Sequence, residues 1–198
     1  LERQLATGKF DTVTLTHSET STGVMNPLPE ICCVLAKYPH VTLIVDTVSS
    51  FSGVRIDMDA LGIDVMLTGA QKALALPPGF SLFSVSDKAF ERADKVPNRG
   101  FYFDFLEFKS EQAQFMTPST PSIGHVHALQ FKLDEIFEEG LEARYARHAS
   151  TNVLVHDCHY DGLSAGIRVK AARGRGGIVE DIFFRDITMG RISGDAIQ

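Results

Sequence analysis

One lysine of this sequence stands where its amine could react with a carbonyl compound. Lys72 lies just beyond an apolar stretch, among small residues and ahead of Pro-Pro-Gly, in TGAQKALALPPG (68–79). Partial burial favours the neutral form of a lysine side chain, and the neutral amine is a nucleophile that condenses with carbonyl carbons. A lysine on a solvated surface is the ordinary alternative. The position therefore predicts either a nucleophile or a surface residue.

An aspartate occupies a comparable position upstream. Asp46 closes the apolar run LIVD, and α/β proteins bind ligands at the carboxyl edge of the sheet, where such a residue would lie. Pyridoxal phosphate requires an acidic partner that keeps its ring nitrogen protonated, and Asp46 and Lys72 together could hold such a cofactor. The alternative for Asp46 is helix capping, since Ser49 and Ser50 follow closely.

A run of hydroxyl-bearing residues, HSETSTG (17–23), follows the first apolar stretch. Its hydroxyls and its glycine suit a turn that donates hydrogen bonds to an oxyanion, although a plain Ser/Thr turn is the commoner meaning of such a run. His17, at its start, is expected to be a hydrogen-bonded histidine at the end of a strand.

The elements that must position these residues alternate between strands and helices. Nearly continuous apolar runs between helical stretches indicate a parallel sheet buried on both faces, so we predict an α/β domain over residues 1–150. One apolar run stops at Asp46, and another gives way to small and polar residues at Gly69. The expected strands are 11–19, 41–50, 63–74 and the start of 81–94, and the expected helices are 29–39, the end of 81–94 and about 123–149.

Three stretches, in this order and spacing, resemble the class V aminotransferases and most closely their alanine–glyoxylate and serine–pyruvate branch: HSETSTGVMNPL, LIVDTVSSFSG and IDVMLTGAQKALALPPG. The likeness covers roughly residues 1–149. It implies part of the large domain of the fold type I pyridoxal-phosphate enzymes. By this resemblance, Lys72 bonds covalently to pyridoxal phosphate and moves a proton, and Asp46 is the partner of the ring nitrogen.

The same resemblance assigns four further positions. Val48 matches the apolar residue packed against the cofactor ring, and Ser21 matches the hydroxyl near its phenolic oxygen. Gln71 matches a contact to the cofactor phosphate. Thr120 resembles a residue that reaches the phosphate of the neighbouring subunit, which implies a homodimer with shared sites.

The resemblance also implies a transamination. An amino acid such as alanine or serine would donate its amino group to the cofactor, and a 2-oxo acid such as glyoxylate would accept it. In this family, a glycine-rich phosphate turn lies upstream of HSETSTG, and the arginine that binds the substrate carboxylate lies in a C-terminal domain. Neither has a counterpart here, and Arg144 and Arg147 do not match that arginine. We therefore expect an incomplete substrate site.

Residues 151–198 have a different pattern, which predicts a second domain. TNVLVHDCHYDG, from 151, and EDIFFRDITMG, from 180, align at an offset of 29 residues. Such a repeat is typical of a β-helix or another solenoid, with chance or a hairpin as the alternative.

Part of that second segment, AGIRVKAARGRGGIVEDIFFRDITM, resembles the polygalacturonase-type glycoside hydrolases. This resemblance implies about two rungs of right-handed parallel β-helix. Arg168 and Lys170 would then bind a uronate carboxylate. Glycoside hydrolysis requires paired carboxylates; in this family the aspartates lie upstream of the Arg-Lys strand and include an Asp-Asp pair, and this chain contains no Asp-Asp dipeptide. The alternatives to a transaminase core are therefore a fragment that binds acidic polysaccharide and an inactive chimera.

The composition excludes several classes of protein. The 198 residues carry a formal net charge of −6, whereas a nucleic-acid binder usually shows a basic face. No apolar run approaches the roughly 18 residues of a membrane helix. Three cysteines without a zinc spacing predict reduced thiols, no metal and a cytoplasmic location. By the resemblance to the class V aminotransferases, the expected partners are a small-molecule amino acid and 2-oxo acid and a second copy of the chain.

Overall fold

A four-stranded mixed sheet organises the N-terminal part of the chain in a computed structural model. The structure describes residues 1–156, 158–162, 179–191 and 193. The helices are α1 (Glu2–Leu5), α2 (Leu28–Leu35), α3 (Met58–Leu61), α4 (Asp87–Asp94), α5 (Phe105–Ala113), α6 (Ile123–Glu139) and α7 (Leu141–His148). The strands are β1 (Thr12–Thr16), β2 (Ser18–Glu19), β3 (Val24–Met25), β4 (Thr42–Asp46), β5 (Val65–Gly69), β6 (Ser81–Val85), β7 (Ser150–His156), β8 (His159–Tyr160), β9 (Val179–Arg185) and β10 (Thr188–Met189).

The main sheet has the strand order β1-β4-β5-β6. β1 lies parallel to β4, and β4 lies parallel to β5, which confirms the expected α/β fold with a parallel-rich sheet. β6 runs antiparallel to β5, with Gly69 paired to Ser81. The connection between these two strands contains no helix. Because a parallel return usually requires a helical crossover, the short connection reverses the chain instead.

One apolar cluster packs α1 and α2 against β4. The apolar positions of α2 follow helical spacing, so that Leu28, Cys32 and Leu35 share one buried face. Leu5 of α1 and Val45 of β4 are buried in the same cluster. This packing holds the central strand from which Asp46 emerges.

A buried carboxylate joins the amino ends of the strands to α4. Asp64, just before β5, accepts hydrogen bonds from the Leu43 backbone N–H at 2.8 Å and from the Ser86 hydroxyl at 3.1 Å. The Lys88 ammonium group donates to the same carboxylate at 2.9 Å. Ser86 in turn caps α4 by accepting a hydrogen bond from the Ala89 N–H. These contacts close the edge of the sheet opposite Asp46.

The single helix expected over about 123–149 is two helices. α6 ends at Glu139 and α7 begins at Leu141, because Gly140 adopts φ 82° and ψ 143°, outside the helical region. Glycine tolerates a positive φ that would strain other residues. After this break, Arg144 of α7 is buried.

The strands that follow α7 pair in the register of the sequence repeat. β7 lies parallel to β9 with Val153 opposite Ile182, and β8 lies parallel to β10. The alignment of the two copies is therefore confirmed as strand pairing, but these four strands do not establish a β-helix. Arg168 and Lys170 lie outside the described residues.

No described helix combines the length and the apolarity needed to cross a bilayer. Among the described residues, no group of three or more His, Cys, Asp and Glu side chains could hold a metal ion.

Candidate active site

The carboxyl ends of three neighbouring parallel strands meet at one edge of the main sheet. His17 follows β1 directly, Asp46 ends β4, and Gln71 and Lys72 come shortly after β5. Open α/β sheets bind ligands outside the carboxyl ends of their strands. Asp46 and Lys72 therefore follow adjacent strands at the edge where a ligand is expected.

A local backbone donor orients the half-buried Asp46 carboxylate, and contacts to both neighbouring strands hold the backbone around it. Oδ1 of Asp46 accepts a hydrogen bond from the Val48 N–H at 2.8 Å, and the backbone carbonyl of Asp46 accepts one from the His17 N–H at 2.9 Å. Fully buried Thr47 donates from its backbone nitrogen and its hydroxyl to the Leu67 carbonyl on β5. No α-helix starts after β4 before α3. Asp46 thus forms a turn of the Asx type rather than a helix cap.

His17 is a buried histidine with a hydrogen-bond partner, as expected. Its Nδ1 lies 2.9 Å from the Ser50 hydroxyl oxygen. Burial lowers the pKa of the imidazole, so the ring is neutral at pH 7. The neutral ring links the end of β1 to the loop that follows Asp46.

Two adjacent hydroxyls in the HSETSTG turn have different surroundings. The Ser21 hydroxyl is exposed and donates to Glu19 Oε1 at 2.7 Å. The Thr20 hydroxyl lies 2.8 Å from the Ser49 hydroxyl, in the loop after Asp46. Both residues are exposed. The Thr20 hydroxyl nevertheless contacts the Asp46 loop, whereas the Ser21 hydroxyl contacts Glu19 within its own turn.

Lys72 lies in a tight loop with internal hydrogen bonds. The Ala75 N–H donates to the Lys72 carbonyl at 2.8 Å, and the Leu76 N–H donates to the Ala70 carbonyl at 3.1 Å. Leu74 is 1% exposed, so its side chain anchors the loop in the interior. The Lys72 side chain itself is half-buried.

An open cavity of about 430 Å³ lies beside this lysine, lined by Gln71, Lys72, Ala73 and His148. A Cβ atom on Gly69 would come within 2.5 Å of the Gln71 side-chain oxygen. Glycine at the end of β5 therefore leaves room for the Gln71 amide to fold back over the strand.

The charges at this edge suit pyridoxal phosphate. Within the described part of the chain, neither Asp46 nor Lys72 forms an ion pair. An oriented carboxylate without a cation can hold the proton of a ring nitrogen, and an amine without an anion can condense with an aldehyde. The residues present thus fit the cofactor.

Thr120 lies elsewhere. It is exposed, and it lines a second open cavity, of about 580 Å³, together with aromatic residues that include Phe80, Phe83, Tyr102 and Phe103. No described contact joins Thr120 to the loops that carry Asp46 and Lys72.

The sequence did not point to Arg144 as a residue of this region. Its side chain is 4% exposed and donates hydrogen bonds to Ser52, in the loop after Asp46, and to the carbonyl of Ala73, beside Lys72. Glu142 and Arg147 lie on the same short helix and are exposed. Because all three are charged, the sequence pattern contains no signal that separates the buried one.

Comparisons with known proteins identify relatives of this region. The family profile described as Aminotransferase class-V matches residues 1–158. An uncharacterized aminotransferase of Methanocaldococcus jannaschii is 45% identical over 138 residues, which make up 69% of this chain and 36% of that protein. The serine–glyoxylate aminotransferase of Arabidopsis thaliana is 41% identical over 139 residues, 69% of this chain and 35% of that protein.

A solved structure also matches. The alanine–glyoxylate aminotransferase from Nostoc sp. superposes with a TM-score of 0.68 at 31% identity, over 73% of this chain and 39% of that chain. The present chain thus spans little more than a third of the curated relatives' length. These comparisons give no support to a polygalacturonase-type fragment at 151–198, so that expectation is not upheld. With its profile match, its fold type I-like α/β sheet and its oriented strand-end residues, the chain belongs to the class-V aminotransferase family.

Proposed function

We propose that this chain forms the pyridoxal-phosphate centre of a transaminase. The enzyme would move an amino group from an amino acid such as alanine or serine to a 2-oxo acid such as glyoxylate. The observation that carries the proposal is the placement of Asp46 and Lys72 after the carboxyl ends of adjacent parallel strands. Relatives named serine–glyoxylate and alanine–glyoxylate aminotransferase, from Arabidopsis thaliana and Rattus norvegicus, support this substrate class.

When bound, pyridoxal phosphate supplies an aldehyde that condenses with amines and a protonated ring that withdraws electrons from the reacting carbon. The Asp46 carboxylate would hold the proton on the ring nitrogen, because the Val48 N–H fixes its orientation. Lys72 would hold the cofactor through its side-chain amine. In its free form, the same amine would move the proton of the substrate α-carbon.

Neighbouring residues would orient the ring. Val48 would pack against it, and the Gln71 amide would donate to the phosphate. For the hydroxyl near the phenolic oxygen, Thr20 is the better candidate than Ser21. The reason is that the Thr20 hydroxyl contacts the loop after Asp46, whereas the Ser21 hydroxyl is engaged by Glu19 on the exposed side of the turn.

A homodimer is part of the proposal. Thr120 lies on the exposed lining of an aromatic cavity. That position suits a hydroxyl that would serve the phosphate site of a second copy across a subunit interface. Clusters of exposed apolar side chains of this kind mark protein–protein contacts.

Covalent trapping tests the assignment of Lys72. The purified chain is mixed with pyridoxal phosphate, reduced with borohydride, digested and mapped by mass spectrometry. We expect the pyridoxyl group on the peptide that contains Lys72, together with a visible absorption band before reduction. Both should disappear in Lys72→Arg, which keeps the charge but lacks a primary amine.

Lys95→Arg is the matched control, because Lys95 is an exposed lysine remote in sequence from the strand-end loops. That variant should label like the unsubstituted chain. A label spread over many lysines, or one that survives in Lys72→Arg, would remove the assignment.

A further inference from the structure

Arg144 bridges the two loops that would hold the cofactor. Its Nε donates to the Ser52 carbonyl at 3.2 Å and to the Ser52 hydroxyl at 2.6 Å. Its Nη2 donates to the Ala73 carbonyl at 2.5 Å. Ser52 belongs to the loop after Asp46, and Ala73 is the residue next to Lys72. One rigid, planar side chain therefore spans both strand-end loops.

The burial of this guanidinium group is balanced by an acidic partner. Arg144 Nη1 lies 3.3 Å from Glu139 Oε2, and Arg147 contacts the same carboxylate. Hydrogen bonds from Arg147 and then from Arg144 lower the pKa of Glu139 to about 2, so the carboxylate stays ionised. A buried charge with a partner and filled hydrogen bonds resists displacement, because losing them would leave it unpaired.

The backbone conformation of Ser52 also indicates that its contact with Arg144 is maintained. Ser52 adopts φ 64°, a left-handed conformation that strains a residue other than glycine. In this conformation both its carbonyl and its hydroxyl accept from Arg144. Strained backbone persists only where surrounding contacts enforce it, and Arg144 supplies two such contacts.

The helix that carries Arg144 also reaches the cavity beside Lys72. The carbonyl of Arg144 lies 2.9 Å from His148 Nδ1, and His148 lines that cavity. A second, exposed ion pair, between Arg55 and Glu142, joins α7 to the chain beyond Ser52. It does not reach the Lys72 loop, so among these contacts Arg144 alone connects both loops.

We propose that Arg144 is a positioning residue that sets the Lys72 loop against the Asp46 loop, an inference that rests on the proposed function. A shift of about 1 Å between groups that act together reduces function by about 10²-fold. The role concerns geometry, since the described contacts of the Arg144 side chain are with Ser52, Ala73 and Glu139.

Hydrogen exchange of the cofactor-free chain tests the bridge directly. In Arg144→Lys, which keeps the charge but lacks the planar fork, we expect amide exchange to accelerate about tenfold or more over 48–54 and 71–76 together. β4 should keep its protection. The matched control is Arg147→Lys, on the same helix and with the same Glu139 partner but without contact to either loop; it should leave both loops unchanged.

Cofactor binding supplies the second measurement. Arg144→Lys should weaken pyridoxal phosphate binding by about 10- to 100-fold, and it should shift the pH at which the visible band of the bound cofactor titrates. Ser52→Ala removes the hydroxyl that accepts from Arg144 but keeps a non-glycine residue at the positive φ. We expect smaller changes in amide exchange, cofactor binding and band titration of the same kind. This variant replaces Arg144→Lys in the test if Arg144→Lys does not fold.

Three outcomes are distinguishable. If the unsubstituted chain does not label Lys72, the proposed function fails. If it labels Lys72 and both Arg144→Lys and Ser52→Ala bind the cofactor like Arg147→Lys, the positioning role fails. Equal acceleration of exchange in β4 and in the two loops would also overturn the role, since Arg144 would then merely stabilise the domain.

Discussion

At the scale of single residues, the site combines groups whose surroundings differ although they lie close in the fold. Asp46 is half-buried, and the Val48 backbone N–H orients its carboxylate. His17 is buried, and desolvation disfavours its charged form. The imidazole therefore acts as a neutral hydrogen-bonding group for Ser50. In the proposed function, the Asp46 carboxylate would interact with a protonated ring nitrogen.

The neutral state of His17 makes stability depend on pH. An unfolded histidine binds a proton near pH 6.5, whereas folded His17 remains neutral to lower pH. The unfolded chain therefore binds more protons as the pH falls through about 6.5, and the free energy of unfolding decreases. The contribution of His17 is complete above that range.

Thermal or urea unfolding between about pH 7.5 and pH 5.5 measures this linkage. His17→Gln should lose part of the decrease in unfolding free energy on acidification, whereas His40→Gln, at an exposed position, should keep it. An identical pH dependence in both variants would show that His17 is not held neutral.

At the scale of elements, the carboxyl and amino edges of the main sheet have different roles. The carboxyl edge carries the loops of Asp46 and Lys72. The amino edge is closed by Asp64, which joins β4 to α4 through Leu43 and Lys88. Residues at the amino edge make no described contact with the candidate site. Substitutions there should change stability without changing what the folded protein binds.

Asp64→Ala tests this division. It leaves the buried Leu43 N–H without its acceptor, which costs about 1–3 kcal/mol, while the Lys88 ammonium group, 42% exposed, can turn to water. We expect that loss in the free energy of unfolding, with unchanged pyridoxal phosphate affinity in the folded protein. Asp94→Ala, at an exposed position of α4, should alter neither quantity by more than about 0.5 kcal/mol. Weaker cofactor binding by folded Asp64→Ala would contradict the division.

At the scale of the whole molecule, an aromatic surface is exposed to solvent. Tyr102 is 57% and Phe103 is 84% exposed, at the rim of the cavity that Thr120 lines. Large aromatic side chains are enriched at protein–protein interfaces. The proposed homodimer would cover this surface and bring Thr120 to the partner's phosphate site.

Sedimentation velocity tests the dimer. The unsubstituted chain should sediment as a dimer, and Tyr102→Ser combined with Phe103→Ser should sediment as a monomer with weaker cofactor binding. Phe137→Ser, at a 75% exposed position of α6, is the control and should remain dimeric. A monomeric unsubstituted chain would eliminate the shared-site proposal.

Much of the fold could be predicted because the sequence patterns that indicate strands and helices involve residues close together in the chain. Apolar runs mark β4 and β5, and the change to polar or small residues marks their ends at Asp46 and Gly69. The break at Gly140 was not predicted, because the helical spacing on its two sides looks continuous while the φ of one glycine does not appear in that spacing. The antiparallel direction of β6 was also missed, since apolar content is the same in either direction.

The sequence by itself determined the family and the alternation of strands and helices, and it singled out Asp46 and Lys72 as the residues proposed to hold the cofactor. Only the tertiary structure decided which residues contact the strand-end loops: the Thr20 hydroxyl meets Ser49 in the Asp46 loop, and Arg144 reaches Ser52 and Ala73 from a helix distant in the sequence. The physical reason is that residue type and spacing report local conformation and burial. Hydrogen bonds between residues far apart in the chain depend on how the elements pack. The residue type alone does not distinguish a buried arginine from an exposed one.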